Sequence, residues 1–166
     1  MYELKPLPTD SINRSLELAE RYRLLNEPSL AESIYRDILA TDVNSALAIR
    51  GLILSLTDQF DGARRRVDET RTLLEQLPEG YDRNYFHGIV LERWGRSEIH
   101  GVAAKEGSLA SLREAMRYYA EAELDRPSDN ADATLRWNAC ARTIMSVQRT
   151  DAYARKSTPK GDLPME

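Results

Sequence analysis

The chain has 166 residues, 42% hydrophobic and 30% charged, and 27 acidic against 23 basic side chains leave a net charge of −4. That length suits one domain or a short repeat array burying roughly 70% of its unfolded surface; the composition excludes wholesale disorder, and the acidic balance gives no basis for nucleic-acid binding. The apolar runs fall short of the ~18 residues a membrane span needs, the opening MYELKPLPTD does not read as a signal peptide, and the single cysteine, Cys140, permits no internal disulfide, so a cytoplasmic setting is expected.

Residues 1–10 are expected to be extended. Apolar residues then recur at helical spacing, which predicts helices at about 11–25, 28–41, 45–58, 62–77, 82–104, 108–126 and 130–149. In the fourth, Ala63, Val67, Thr70, Leu74 and Leu77 follow Asp61-Gly62 directly, so that dipeptide opens a helix and not a hairpin of strands. Asp10 or Ser11, Asn44, Asp61 and Asp82 are the expected caps, and Pro28 suits a first helical turn. LPEG at 77–80 and DRP at 125–127 end helices. The seventh helix should turn Ala133, Trp137, Cys140, Ala141 and Ile144 inward, leaving Arg136, Asn138, Arg142 and Gln148 in water. A tail over 150–166, with Pro159, Gly161 and Pro164, is expected to be flexible.

Two of these helices share a rhythm. Ala31, Tyr35, Ile38 and Val43 step by the same intervals as Ala115, Tyr119, Ala122 and Pro127. Leu18-Ala19 and Tyr22 precede the first set, and Gly88 and Leu91 precede the second. These residues resemble the tetratricopeptide repeat, a 34-residue helix-turn-helix unit with Leu-Gly, Tyr, Ala, an aromatic and Pro at set places. The resemblance covers about 11–127, departs from the pattern at Ser15 and Val43, and is weak in the middle, where Ile49, Leu52, Leu56, a shifted Ala63 and Pro78 stand in. It implies an all-α, right-handed superhelical array of about seven helices in antiparallel hairpins. Within a domain at 11–149 the repeats would cover about 12–45, 46–80 and 81–129, closed by a capping helix at 130–149.

Ala31 and Ala115 are 84 residues apart, against 68 for two 34-residue periods. One of the 16 extra residues precedes Pro78 and the rest lie between Gly88 and Ala115. The third hairpin is therefore expected to be longer by about two turns per arm. Gly107 would end its first arm, with Ser108 or the capping box Ser111-x-x-Glu114 opening the second.

No residue pattern here carries catalysis. Cys140 lies on an apolar stripe with no basic cluster beside it and reads as a structural thiol. His87 and His100 have neither metal-ligand spacing nor a cysteine pair, so no metal site or cofactor is expected. Asp125, Asp129 and Asp132 lack the spacing and central glycine of a calcium loop and read as a turn with a cap. Arg64, Arg65 and Arg66 point in three directions on a helix and read as a solvated face.

In proteins of the family it resembles, ligand peptides lie along the first helices of successive repeats. Carried over, this implies Asn13, Leu16 and Glu20, then Leu47, Arg50 and Leu54, then Asp82, Tyr85 and Ile89. Chaperone-binding members hold a peptide carboxylate with lysine, asparagine and arginine; the matching positions here are Leu16, Glu20, Gly51, Asp82 and Phe86, so that clamp is absent. What remains is an apolar stripe of Leu16, Leu47, Leu54, Tyr85 and Ile89, suited to an amphipathic helix or extended peptide, with Glu20, Arg50 and Glu92 at its rim. The expected function is a non-enzymatic module that binds another protein, with neither nucleic acid nor membrane as partner. One alternative is a homodimer formed through Trp94, Ile99 and Val102 of the long hairpin. Another is a small-ligand or enzymatic pocket beneath it, around His87, Arg93 and His100.

Overall fold

A computed structural model of the chain describes residues 2–60, 64–99 and 104–157. A 3-10 turn at Thr9–Ser11 leads into α1 (Ile12–Leu24), α2 (Pro28–Thr41), α3 (Ala46–Thr57), α4 (Arg64–Leu74), α5 (Tyr81–Ser97), α6 (Ala104–Leu124) and α7 (Asp132–Ser157). The described residues form seven α-helices and no strand, so the fold is all-α as expected. No helix among them is long and apolar enough to cross a membrane. Asp61, Ala63, His100, Val102 and the tail residues Pro159, Gly161 and Pro164 lie outside the described residues.

Helix ends depend on the backbone more than on the expected caps. Asn26 adopts φ 61° after α1, and the Glu27 N–H donates to the Tyr22 carbonyl at 2.9 Å while the Asn26 N–H donates to Arg23 at 3.1 Å. This is a Schellman closure with asparagine in the left-handed position. Pro28 then occupies the first turn of α2. Neither Asp10 nor Asn44 acts as the cap: α1 and α3 begin after Ser11 and Ser45, neither with a side-chain cap bond. α5 begins after Gly80 at φ 96°, which places Asp82 inside its first turn, paired with Arg50 of α3. The start of α7 is held from outside. Asn130 Oδ1 accepts the Asp132 N–H at 2.8 Å, and Glu123 of α6 accepts both the N–H and the hydroxyl of Thr134, at 3.0 and 2.6 Å.

Each helix packs on the next in the chain, and α3 also lies against α1 and α5. Ala19, Ala31, Ala48, Ala115, Ala122 and Ala133 are fully buried where helices approach. Two glycines let tyrosine rings sit against the backbone. A Cβ on Gly51 would fall 2.2 Å from the Tyr35 ring, and one on Gly88 would fall 2.3 Å from the Tyr119 ring. α3 is enclosed on several sides, with eight of its 12 residues buried, so most of its surface is apolar and a one-sided pattern is weak.

The third hairpin is longer, but unequally: α6 has 21 residues and α5 has 17, against 11 to 14 in α1 to α4. The first arm therefore gains about one turn, not two, and ends at Ser97, short of the expected 104. Its interruption differs from the expectation. Gly107 lies within α6 facing open space, and Ser108 is buried instead of opening the helix. The tight crossing falls at Gly95, where an added Cβ would meet the Ser108 carbonyl at 2.9 Å. A solvent-facing helical glycine costs only about 1 kcal/mol relative to alanine, which burial of Leu112 and Ser108 against α5 offsets. α7 also runs past its expected end, to Ser157. Its inward stripe contains Ala133, Cys140 and Ile144, but Trp137 is 39% exposed and Arg136 turns in. At the other terminus Leu7 packs on the core, and its carbonyl accepts the Thr41 hydroxyl at 3.2 Å, tying the extended segment to the end of α2.

Candidate protein-binding face

α1, α3 and α5 are the first helices of successive hairpins and stand side by side. Of the residues expected on their shared face, Leu16, Leu54 and Tyr85 are partly buried and pack on the core, Asn13 is exposed, and Leu47 is 60% exposed. Tyr85 is held in an aromatic cluster. Its ring stacks on Tyr81 at 5.5 Å, meets the edge of Phe86 at 5.6 Å and tilts against Tyr119 at 5.9 Å, geometries that exploit the ring quadrupole. The Tyr81 hydroxyl donates to Asn130 Oδ1 at 3.0 Å, and burial raises its pKa to about 12.

The charged residues on this face are engaged within the fold. Arg50 pairs with Asp82 across α3 and α5, and its Nε is buried without a hydrogen-bond partner. Glu20 accepts from Arg23 at 3.1 Å and from the Tyr35 hydroxyl at 3.4 Å. Arg23 Nε also donates to Asp58 at 2.9 Å, and Asp58 pairs in turn with Arg93 of α5. Arg93 further donates to Thr57 Oγ1 at 2.6 Å and to the Leu54 carbonyl at 3.1 Å. A ladder of Glu20, Arg23, Asp58 and Arg93 therefore ties α1 through the end of α3 to α5. Burial lowers the Arg93 pKa, with the Asp58 charge opposing it.

Two expected site residues belong to the interior. Ile89 is 2% exposed and sits in the core. Glu92, expected at the rim, is 3% exposed and accepts from the Tyr119 hydroxyl at 2.7 Å, Arg96 Nε at 3.0 Å and Arg136 at 3.4 Å. A buried carboxylate is tolerated only with such partners, which is why Arg136 and not Trp137 faces α5. Burial and then the Glu92 charge raise the Tyr119 pKa, and the same two causes push the Cys140 thiol up to about 12, as a structural cysteine requires. The pairing Tyr119–Glu92–Arg96 repeats the chemistry of Tyr35–Glu20–Arg23 in the first hairpin.

Sequence reasoning missed Asp58, which follows the last turn of α3 and carries no motif, and it missed Leu135. An open cleft of about 390 Å³ lies between α5 and α7, lined by Tyr85, Glu92, Asp132, Leu135, Arg136 and Ala139. Leu135 is 63% exposed there, so the apolar face continues onto the last helix. Of the residues named for the alternative readings, His100 and Val102 lie outside the described residues, and His87 and Arg93 occupy separate surroundings. His87 stacks on Tyr118 at 4.6 Å in a separate pocket of about 260 Å³, whereas Arg93 is bound to Asp58. Trp94 meets the edge of Phe60 at 6.1 Å, and it and Ile99 pack on the core. Comparison with protein-family models, curated proteins and solved structures returned no match.

Proposed function

We propose that the chain is an array of three tetratricopeptide-like hairpins closed by α7, and that it works as a non-enzymatic protein-binding module in the cytoplasm. The repeat reading is supported by the buried small residues Ala19, Ala31, Ala115 and Ala122, and by the two tyrosine–glutamate–arginine clusters. The observation that carries the binding role is the row of Leu16, Leu47, Leu54 and Tyr85 on adjacent first helices, open at Leu47 and at the Tyr85 cleft. A segment of another protein laid across them would gain about 25 cal/mol per Å² of apolar surface buried. The ion-pair ladder holds α1, α3 and α5 in place, which keeps the ordering cost of binding low.

Leu47→Asp tests the role with the least risk to the fold, because its side chain is largely in water; Tyr85→Asp tests the cleft. Both variants should keep the helical circular dichroism of the wild type and lose affinity for peptides selected on it. Undiminished binding by two folded variants would exclude this face.

A further inference from the structure

Resting on that reading, we infer that the peptide taken by this face is acidic: an apolar anchor enters the Tyr85–Leu135 cleft and carboxylates to one side of it meet Arg142 and Arg149 on α7. Three observations lead there. From 133 to 150, α7 contains no Asp or Glu while it carries Arg136, Arg142 and Arg149, in a chain that is otherwise acidic. Arg136 is consumed by Glu92, but Arg142 and Arg149 are exposed, and neither has an ion-pair partner among the described residues. The register is right as well. Leu135 and Ala139 line the cleft, and positions 142 and 149 follow at intervals of three and seven, which keeps all four on one helix face.

Arg14, Arg21 and Arg113 are also exposed without an ion pair among the described residues, but only Arg142 and Arg149 continue the register of Leu135 and Ala139 along α7. Arg36 is paired with Glu32 and Glu69, and Arg117 with Glu114 and Glu121, so those cations are neutralised within the fold. Between Asp132 and Asp151, α7 supplies no acid to meet Arg142 or Arg149, which leaves both available to a partner's carboxylates. Spacing specifies it further. Arg142 lies about 10 Å along the helix from Leu135, and Arg149 about 10 Å further, at 1.5 Å per residue. An extended chain advances roughly 3.3 Å per residue, so the carboxylates belong about three and six residues from the anchor. Two exposed ion pairs of this kind add modest affinity and mainly set orientation and salt dependence.

A phage-displayed library of random twelve-residue peptides, selected on the full chain, tests this directly. Wild type should enrich an apolar residue with Asp or Glu about three and six places to one side of it, and binding of the enriched peptides should weaken as salt is raised. The double variant Arg142→Glu, Arg149→Glu should lose the acidic enrichment, keep the apolar one, and bind the wild-type peptides at least tenfold more weakly. Apolar enrichment with no acidic preference would overturn the inference and leave the binding face standing. Enrichment unchanged by Tyr85→Asp would overturn the face itself, and a selection with no enrichment would overturn both. Binding to phosphatidylserine vesicles that depends on the two arginines, without acidic peptides in the selection, would assign the cations to lipid and also overturn the inference.

Discussion

Two glycines of the third hairpin should respond to alanine in opposite directions. At Gly88 the new Cβ would fall 2.3 Å from the Tyr119 ring, and that ring is fully buried with its hydroxyl bound to Glu92, so it has nowhere to move. Overpacking of this kind costs about 1–3 kcal/mol. At Gly107 a Cβ meets nothing within 4 Å, and the residue lies inside α6; alanine there should stabilise by up to about 1 kcal/mol through helix propensity. Urea denaturation of Gly88→Ala and Gly107→Ala decides both. Adding Tyr119→Leu to Gly88→Ala should recover part of the loss, because residues in contact are non-additive. A Gly88→Ala protein as stable as wild type would mean that the ring is not seated against the α5 backbone.

At the scale of the helix, α7 is held through one buried charge and two bonded turns. Glu92→Ala would strand Arg136, Arg96 and the Tyr119 hydroxyl together. Breaking a buried ion pair by removing one partner costs about 3–5 kcal/mol, and the lower end applies because both arginines keep contact with water. The loss should be local: hydrogen exchange should quicken across 132–150 while α1 and α2, which pack on each other and on α3, stay protected. Uniform loss of protection would show instead that α7 is inseparable from the core. The same helix shows how much was legible in advance. Its existence followed from spacing, but positions 136 and 137 both fit the inward stripe, and hydrophobicity favoured the tryptophan. The arginine won because Glu92, 44 residues earlier, is buried opposite it, a pairing that no local pattern encodes. For the same reason Glu92 and Ile89 were expected on the binding face. The resemblance to the tetratricopeptide repeat implied that face for them, while only the packing of α6 and α7 decided which side of α5 was interior. Gly107 misled through its turn propensity, which the continued burial of α6 overrode.

Stability against pH belongs to the whole molecule and should show a plateau bounded on both sides. Burial lowers the His87 pKa below its usual 6.5, so as pH falls through that value the unfolded chain takes a proton the folded chain resists. Stability then falls, since it rises with pH wherever the unfolded state binds more protons. Glu32 works lower down: burial raises its pKa, but hydrogen bonds from Arg36, Gln59 and Arg66 outweigh this and hold it below 4.5, so its contribution is present above that value and lost in stronger acid. On the alkaline side, burial raises Tyr35 and Tyr81 from 10 to about 12 and Cys140 from 9 to about 12. Their contribution is present below the unfolded values and is lost as pH climbs from about 9 toward 12. Thermal melts should therefore be flattest between about pH 7 and 9. The mildly acidic slope can be assigned to a single group, because a one-proton difference gives at most about 1.4 kcal/mol per pH unit. His87→Phe keeps a ring to stack on Tyr118 but cannot titrate, so it should abolish the fall in melting temperature between pH 6.5 and 5 while leaving the alkaline limb unchanged. A variant that keeps that fall would show that the pocket between α4, α5 and α6 admits the imidazolium without penalty.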